Sequence, residues 1–293
     1  MHSINEGETE LERLIPVSIP ALAALLWAGT GVTAVSSSAG LTAASADGEY
    51  TFRLGGRLMW DADSFDGVLN PASDGERRFN SQLRRARVEL SGEVPGDLDW
   101  VFDVNYLDNG DTEVFAAGLR YSGWALADVF IGRDKEPFGL EEMASSKAIS
   151  TMRRNFFTDA TDVDSQPHYG LRLDGKAGAI GWSAGIFNPD GNPSTGDGGD
   201  RLAFTGRLFG TLLNDNGRVL HFGAAFTDRN LDEPQLEHGF RLRVAESGER
   251  LPSAAVLARE DRQAGFEALY LDGPLSLQGE YFRRESARCR QRT

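Results

Sequence analysis

The side chains whose types and spacing could do chemistry are cations. Ten arginines, Arg53, Arg57, Arg85, Arg87, Arg120, Arg172, Arg201, Arg207, Arg241 and Arg243, fall on alternate positions of strand-like runs, opposite an apolar face. A second group lies in one segment, Gly132 to Lys147, reading G-R-D-K-E-P-F-G-L-E-E-M-A-S-S-K. It supplies Arg133, Lys135 and Lys147 around Pro137, Phe138 and Gly139. Guanidinium and ammonium groups gathered on one face attract anions by charge and hydrogen bonding, without covalent chemistry. Covalent catalysis has no comparable support, because H-E-x-x-H, G-x-S-x-G, Walker and dinucleotide-binding patterns are all missing from the sequence. His2, His168, His221 and His238 are isolated, and the lone Cys289 sits in a polar stretch. The acidic pieces Asp159 to Asp164 and Asp190 to Asp200 do not have EF-hand spacing and read as solvated loops. Neither a metal nor a cofactor is expected.

The elements that must carry these cations alternate with period two. Phe52, Leu54, Leu58 and Trp60 oppose Arg53 and Arg57, and Ala86, Val88, Leu90 and Val94 oppose Arg85, Arg87, Glu89 and Glu93. Similar runs follow at 100–106, 115–121, 128–133, 169–174, 180–186, 202–208, 220–226, 240–244, 264–271 and 275–282, which makes about twelve strands. Pro95-Gly96-Asp97, Gly175 to Gly178, Asn214 to Gly217 and Gly273-Pro274 mark tight turns. The long interruption is Gly132 to Gln166, which lacks strand alternation after its first residues and reads as a functional connection.

The 293 residues include 34 glycines and 10% aromatics, a mixture that suits many short strands joined by turns. The net charge of −14 excludes a general nucleic-acid binder, which needs a basic surface. Residues 1–46 read as a secretory signal peptide. Arg13 precedes an apolar, small-residue run, and Ala44-Ser45-Ala46 precedes Asp47, the expected first residue of the mature chain. Past that run, the sequence has no apolar stretch of the roughly 18 residues that a membrane helix needs.

Ten-residue alternating strands with short turns and longer loops suit a transmembrane antiparallel β-barrel, one of the two ways to satisfy every backbone group in lipid. A soluble sandwich or barrel alternates equally well, with its apolar face turned inward. Two features favour lipid. Trp60, Trp100, Tyr106, Tyr121 and Trp124 sit where interfacial girdles belong, and arginine recurs on the polar faces.

The segments R-R-A-R-V-E-L-S-G (Arg84 to Gly92), G-R-D-K-E-P-F-G-L-E (Gly132 to Glu141), Ser145-Ser146-Lys147 and G-P-L-S-L-Q-G-E-Y-F (Gly273 to Phe282) resemble the phosphate-selective porin O and P family. The resemblance implies a sixteen-stranded, homotrimeric outer-membrane channel. A long loop would fold into its pore, and lumenal arginines and lysines would draw in phosphate-like anions. The barrel is expected over residues 47–282, short of the family's strand number. Residues 283–293, with five arginines, are expected to be a polar tail read from a non-native frame.

The expected function is passive diffusion of small anions, plausibly phosphate or polyphosphate, across the bacterial outer membrane. A non-selective porin of the same family and a secreted soluble β-barrel that binds a ligand are the alternatives. In the leading reading the ten arginines form a lumenal anion track, with simple balancing of acidic neighbours as the competing role. Arg133, Lys135, Pro137, Phe138, Gly139 and Lys147 belong to the constriction loop. Pro137 and Gly139 shape it, Phe138 and Leu140 pack on the inner wall, and a short helix is expected within Met143 to Phe157.

Overall fold

The computed structural model describes residues 33–37, 40–67, 75–106, 112–149, 151, 154, 167–189, 202–237 and 256–288. They form one antiparallel sheet of thirteen strands, each paired with its neighbours in sequence. The strands are β1 (Thr33–Ser37), β2 (Gly40–Ala44), β3 (Thr51–Gly67), β4 (Gly75–Val94), β5 (Leu98–Tyr106), β6 (Thr112–Tyr121) and β7 (Asp128–Asp134). After a one-turn helix α1 (Leu140–Met143) come β8 (His168–Ala177), β9 (Ile180–Asn188), β10 (Leu202–Asp215), β11 (Arg218–Glu237), β12 (Val256–Asp272) and β13 (Leu275–Arg288). Among the described residues β1 and β13 are the sheet's two edges.

The sheet is polar inside and apolar outside. Leu58, Trp60 and Phe79 are 72%, 71% and 75% exposed, whereas Thr205, Thr227 and Gln263 are 0%, 0% and 1% exposed. A water-soluble barrel does the reverse, because burying apolar area drives its folding. Lipid removes that constraint and rewards an apolar exterior, so the expectation of a soluble β-protein fails on this observation. The period-two reading assigned these faces correctly. Leu202, Phe204 and Leu208 point outward from β10, while Thr205 and Arg207 are buried.

Tight connections alternate with long ones. Asp215 pairs with Arg218, so Asn216 and Gly217 alone make the β10–β11 turn, both at positive φ (48° and 80°). That geometry fits the right-handed strand twist, and Asn-Gly adopts it at least cost. β3, β4, β11 and β12, of 17 to 20 residues, exceed the roughly 9–11 that a tilted strand needs to cross a bilayer. They therefore extend past the membrane on the side of the long connections. Trp60 accordingly lies within β3 rather than at its end.

Two differences from the sequence reading stand out. Residues 33–37 and 40–44, assigned to the leader, form a hairpin whose second strand pairs with β3, Leu41 opposite Leu54. Their Ala, Ser, Thr and Val content carries no apolar-against-charged alternation, so the strands left no pattern to read. Secondly, β13 continues through Arg288, taking in residues set apart as a tail; Arg284 and Ser286 both reach Asp261 on β12, at 2.8 and 3.2 Å. The candidate strand at 240–244 lies outside the described residues, as do Arg201, Arg241 and Arg243.

Candidate functional site

The segment after β7 runs across the polar face of the sheet, held at both ends and in the middle. Glu136 is fully buried, with Arg229 of β11 at 2.8 Å, His168 of β8 at 2.8 Å, and the hydroxyl of Thr205 of β10 donating to it. Thr205 also meets Thr227 at 2.8 Å. Burial pushes the Glu136 carboxyl up, but the Arg229 charge and the His168 and Thr205 hydrogen bonds outweigh it and hold it below the usual glutamate range.

Phe138 is fully buried and stacks on Phe282 of β13, ring centroids 5.6 Å apart. Gly139 has φ 81° and ψ 150°, a conformation essentially restricted to glycine. A Cβ there would approach Glu280 Oε2 to 3.1 Å and the Phe282 ring to 3.5 Å. Glu280 of β13 in turn accepts the N–H groups of Leu140 and Glu141, at 2.9 and 3.1 Å. A carboxylate from the far strand thus takes the free donors of the first helical turn, which is what starts α1 here. The helix was expected farther along, within 143–157. Its actual start depends on a residue some 140 positions away and has no local signature.

Beyond α1 the segment is fastened to the opposite wall. Lys135 Nζ lies 2.6 Å from Glu142 Oε1 and donates to the Glu142 carbonyl at 2.7 Å. Arg154 lies 3.1 Å from Glu142 Oε2 and donates to the carbonyls of Glu141 and Ala144. Burial pushes the Glu142 carboxyl up, and the attraction of Lys135 and Arg154 does not fully offset it. Lys147 lies 2.6 Å from Glu89 of β4, which also takes Arg57 of β3 at 2.6 Å, and Arg57 donates to Ser146 as well. Arg133 lies 3.5 Å from Glu113 and faces the Tyr169 ring at 5.4 Å.

Of the ten arginines of the expected track, the seven described ones lie on two sides of the sheet. On the β8–β12 side the cations are matched: Arg172 lies 2.9 Å from both Asp134 and Asp174, and Arg207 lies 2.5 Å from Glu267, which also meets His221 at 3.0 Å. On the β3–β6 side, Arg53, Arg57, Arg85, Arg87 and Arg120 line a cavity of about 740 Å³ bounded by residues 134–154. Arg84, Lys135 and Arg154 join them, giving eight lining cations against the five lining carboxylates Glu93, Asp99, Asp103, Asp134 and Glu142, while Arg57, Arg84 and Arg120 also reach carboxylates outside the lining, Glu89 at 2.6 Å, Asp61 at 3.1 Å and Asp128 at 3.8 Å. Arg84 escaped the period-two reading because the β3–β4 register shifts between Met59 and Trp60. The irregularity brings consecutive residues Arg84 and Arg85 to one cavity. Glu136, Arg154, Arg229 and Glu280 were also missed, since single charged residues on a polar face give no sign of which partners they will meet.

The family described as phosphate-selective porin O and P matches residues 52–293. The chain belongs to that family. It is also 28% identical over 300 residues to Porin O of Pseudomonas aeruginosa, covering 90% of this chain and 67% of that protein. In fold it is similar to a loop L8 deletion mutant of OmpT, an outer-membrane protein of Vibrio cholerae. The TM-score is 0.50 at 14% identity, over 83% of this chain and 72% of the other. With its apolar exterior, this porin-family chain is an outer-membrane β-barrel protein of the bacterial envelope.

Proposed function

We propose that the chain forms a channel for passive diffusion of small anions, narrowed by residues 135–149, 151 and 154. The observation that carries this reading is the charge of the cavity wall. Eight cationic side chains face five carboxylates there, in a protein whose net charge is −14. A local cationic excess beside low-dielectric walls concentrates anions and repels cations. The name of the family and of the Pseudomonas relative support phosphate-like anions as the cargo.

The anchors at Glu136, Phe138 and Lys147 support the narrowing role, because a segment tied to both walls stays across the passage. Lys135 and Lys147, which the sequence suggested as the cations facing the ion, serve here as fasteners as well as charges. The matched ion pairs on the β8–β12 wall favour a second reading, a porin with little charge preference. Reversal potential across a planar bilayer under a salt gradient separates the two. A potential on the anion side supports the proposal, and a potential near zero supports the non-selective porin. Assembly as a homotrimer, implied by the family resemblance, is checked by chemical crosslinking in outer-membrane extracts.

A further inference from the structure

We propose that the outward face of β11–β13, at the end of the long connections, binds the phosphate headgroup of a membrane lipid through Arg262 and Arg283. The site lies on the opposite face of the sheet from the passage and does not depend on what the passage carries.

The pleat puts both arginines outside. Asp261 and Gln263 are buried on the polar face, and the Arg262 side chain between them is 54% exposed. Arg284 reaches inward to Asp261, so Arg283 and Glu285 point outward, with side chains 69% and 62% exposed. Two registered rows make up the patch. Phe226, Ala264 and Arg283 form one, and Asp228, Arg262 and Glu285 form the next. Arg262 and Arg283 are therefore diagonal neighbours, a spacing that long side chains bridge. One phosphate group can take donors from both.

The surroundings set the level of the patch. Phe266 and Tyr281, paired with each other two positions nearer the short turns, are exposed on the same outer face. Phe204, also exposed, stands opposite Asp228 across β10 and β11. The charges thus border the apolar exterior directly, where acyl chains give way to headgroups on the side of the long connections, the outer side of such barrels.

Acceptors within the chain orient the two guanidinium groups without filling them. Asp228 accepts from Arg262 Nε at 3.1 Å, Glu260 lies 3.6 Å from Arg262 Nη2, and Glu285 accepts from Arg283 Nη2. Among the described residues Arg262 Nη1 and Arg283 Nε and Nη1 donate to nothing. Three carboxylates outnumber two arginines here, so a general attraction of anions is not the basis of binding. The basis is the open planar donors, which match a phosphate oxyanion and act at the edge of a low-dielectric phase. A lipid adds acyl contact with Phe226, Phe266 and Tyr281, which free phosphate lacks. A second copy of the chain would have to bring acceptors of its own.

The test is native mass spectrometry of the full chain, folded in detergent, with phosphatidic acid, with diacylglycerol of the same acyl chains, and with excess inorganic phosphate as competitor. Phosphatidic acid is expected to bind about tenfold more tightly than diacylglycerol and to resist the competitor. Arg262→Gln combined with Arg283→Gln is expected to lower phosphatidic-acid affinity about tenfold and leave diacylglycerol unchanged. Arg218→Gln, at an exposed cation of the short β10–β11 turn, is expected to change neither. Arg283→Gln alone, expected to lose about threefold, serves if the double variant does not fold. Equal binding of the two lipids, unchanged phosphatidic-acid affinity in a folded variant, an equal loss in Arg218→Gln, or displacement by inorganic phosphate overturns the inference. Loss of crosslinked oligomers with lipid affinity intact also overturns it, and gives the patch to a second copy of the chain.

Discussion

Glu136, two residues past the end of β7, and Arg229, on β11, meet at 2.8 Å with both side chains buried. This pair fixes the long connection to the far wall of the sheet, and it does so inside a hub that also takes in His168 and Thr205. Removing one partner leaves the other buried charge less well compensated, at a cost of up to about 3–5 kcal/mol. Glu136→Ala is therefore expected to lower the urea midpoint of the refolded protein clearly, and Arg229→Ala similarly. The double variant should lose much less than the sum, because the two act on one interaction.

The two glutamates of the segment respond to acid in opposite senses. The folded-state pKa of Glu136 lies below the 4.5 of an unperturbed glutamate, so its stabilising contribution is present above that value and is lost as pH falls through the lower folded one. The folded-state pKa of Glu142 lies above 4.5, so it takes up its proton first, and the fold tightens on that proton rather than losing it. Once neutral, Glu142 holds Lys135 and Arg154 less firmly. Acidification toward 4.5 should raise single-channel current noise while the thermal midpoint rises slightly, and further acidification should lower the midpoint. Glu142→Gln should abolish the first effect and keep the second.

Deleting Ala144 to Arg154 removes much of the connection's share of the cavity lining but keeps Glu136, Phe138 and α1. Single-channel conductance is expected to rise, because the passage widens while the anchors at Glu136 and Phe138 still hold. Unchanged conductance in a correctly inserted variant would mean that the segment does not narrow the path.

The faces of the strands were legible in the sequence; the partners of the charges were not. Alternation assigned Leu208 outward and Arg207 inward because a pleated strand has period two regardless of its neighbours. Which carboxylate meets Arg207 depends on the register of β10, β11 and β12, and Glu267 lies 60 residues farther along the chain. The same reasoning explains why the arginine track was overdrawn. Arg172 looked identical to Arg87 in pattern, yet it is flanked by Asp134 and Asp174 while Arg87 stacks on Phe115. Gly139 and Phe138 were readable as a turn and an anchor, whereas the capping of α1 by Glu280 belongs to tertiary structure alone.

Cleavage after Ala46, as the small-residue signature proposes, would remove β1 and β2 and leave β3 as the edge of the sheet. N-terminal sequencing of protein recovered from the outer membrane is expected to begin at Asp47. A sequence beginning before Thr33 would keep the first hairpin in the sheet and move the boundary.

The central claim, that the β3–β6 wall gives the channel its preference for anions, is tested most directly by replacing Arg85 and Arg87 together with alanine and measuring reversal potential in a bilayer under a salt gradient. Both residues line the cavity, and charged side chains at a constriction set permeability ratios. The account predicts that the anion-to-cation ratio of the double variant falls at least about twofold, while Arg172→Ala, at a cation held between Asp134 and Asp174, changes it far less. An unchanged ratio in the Arg85/Arg87 variant, in channels of normal conductance, would contradict it.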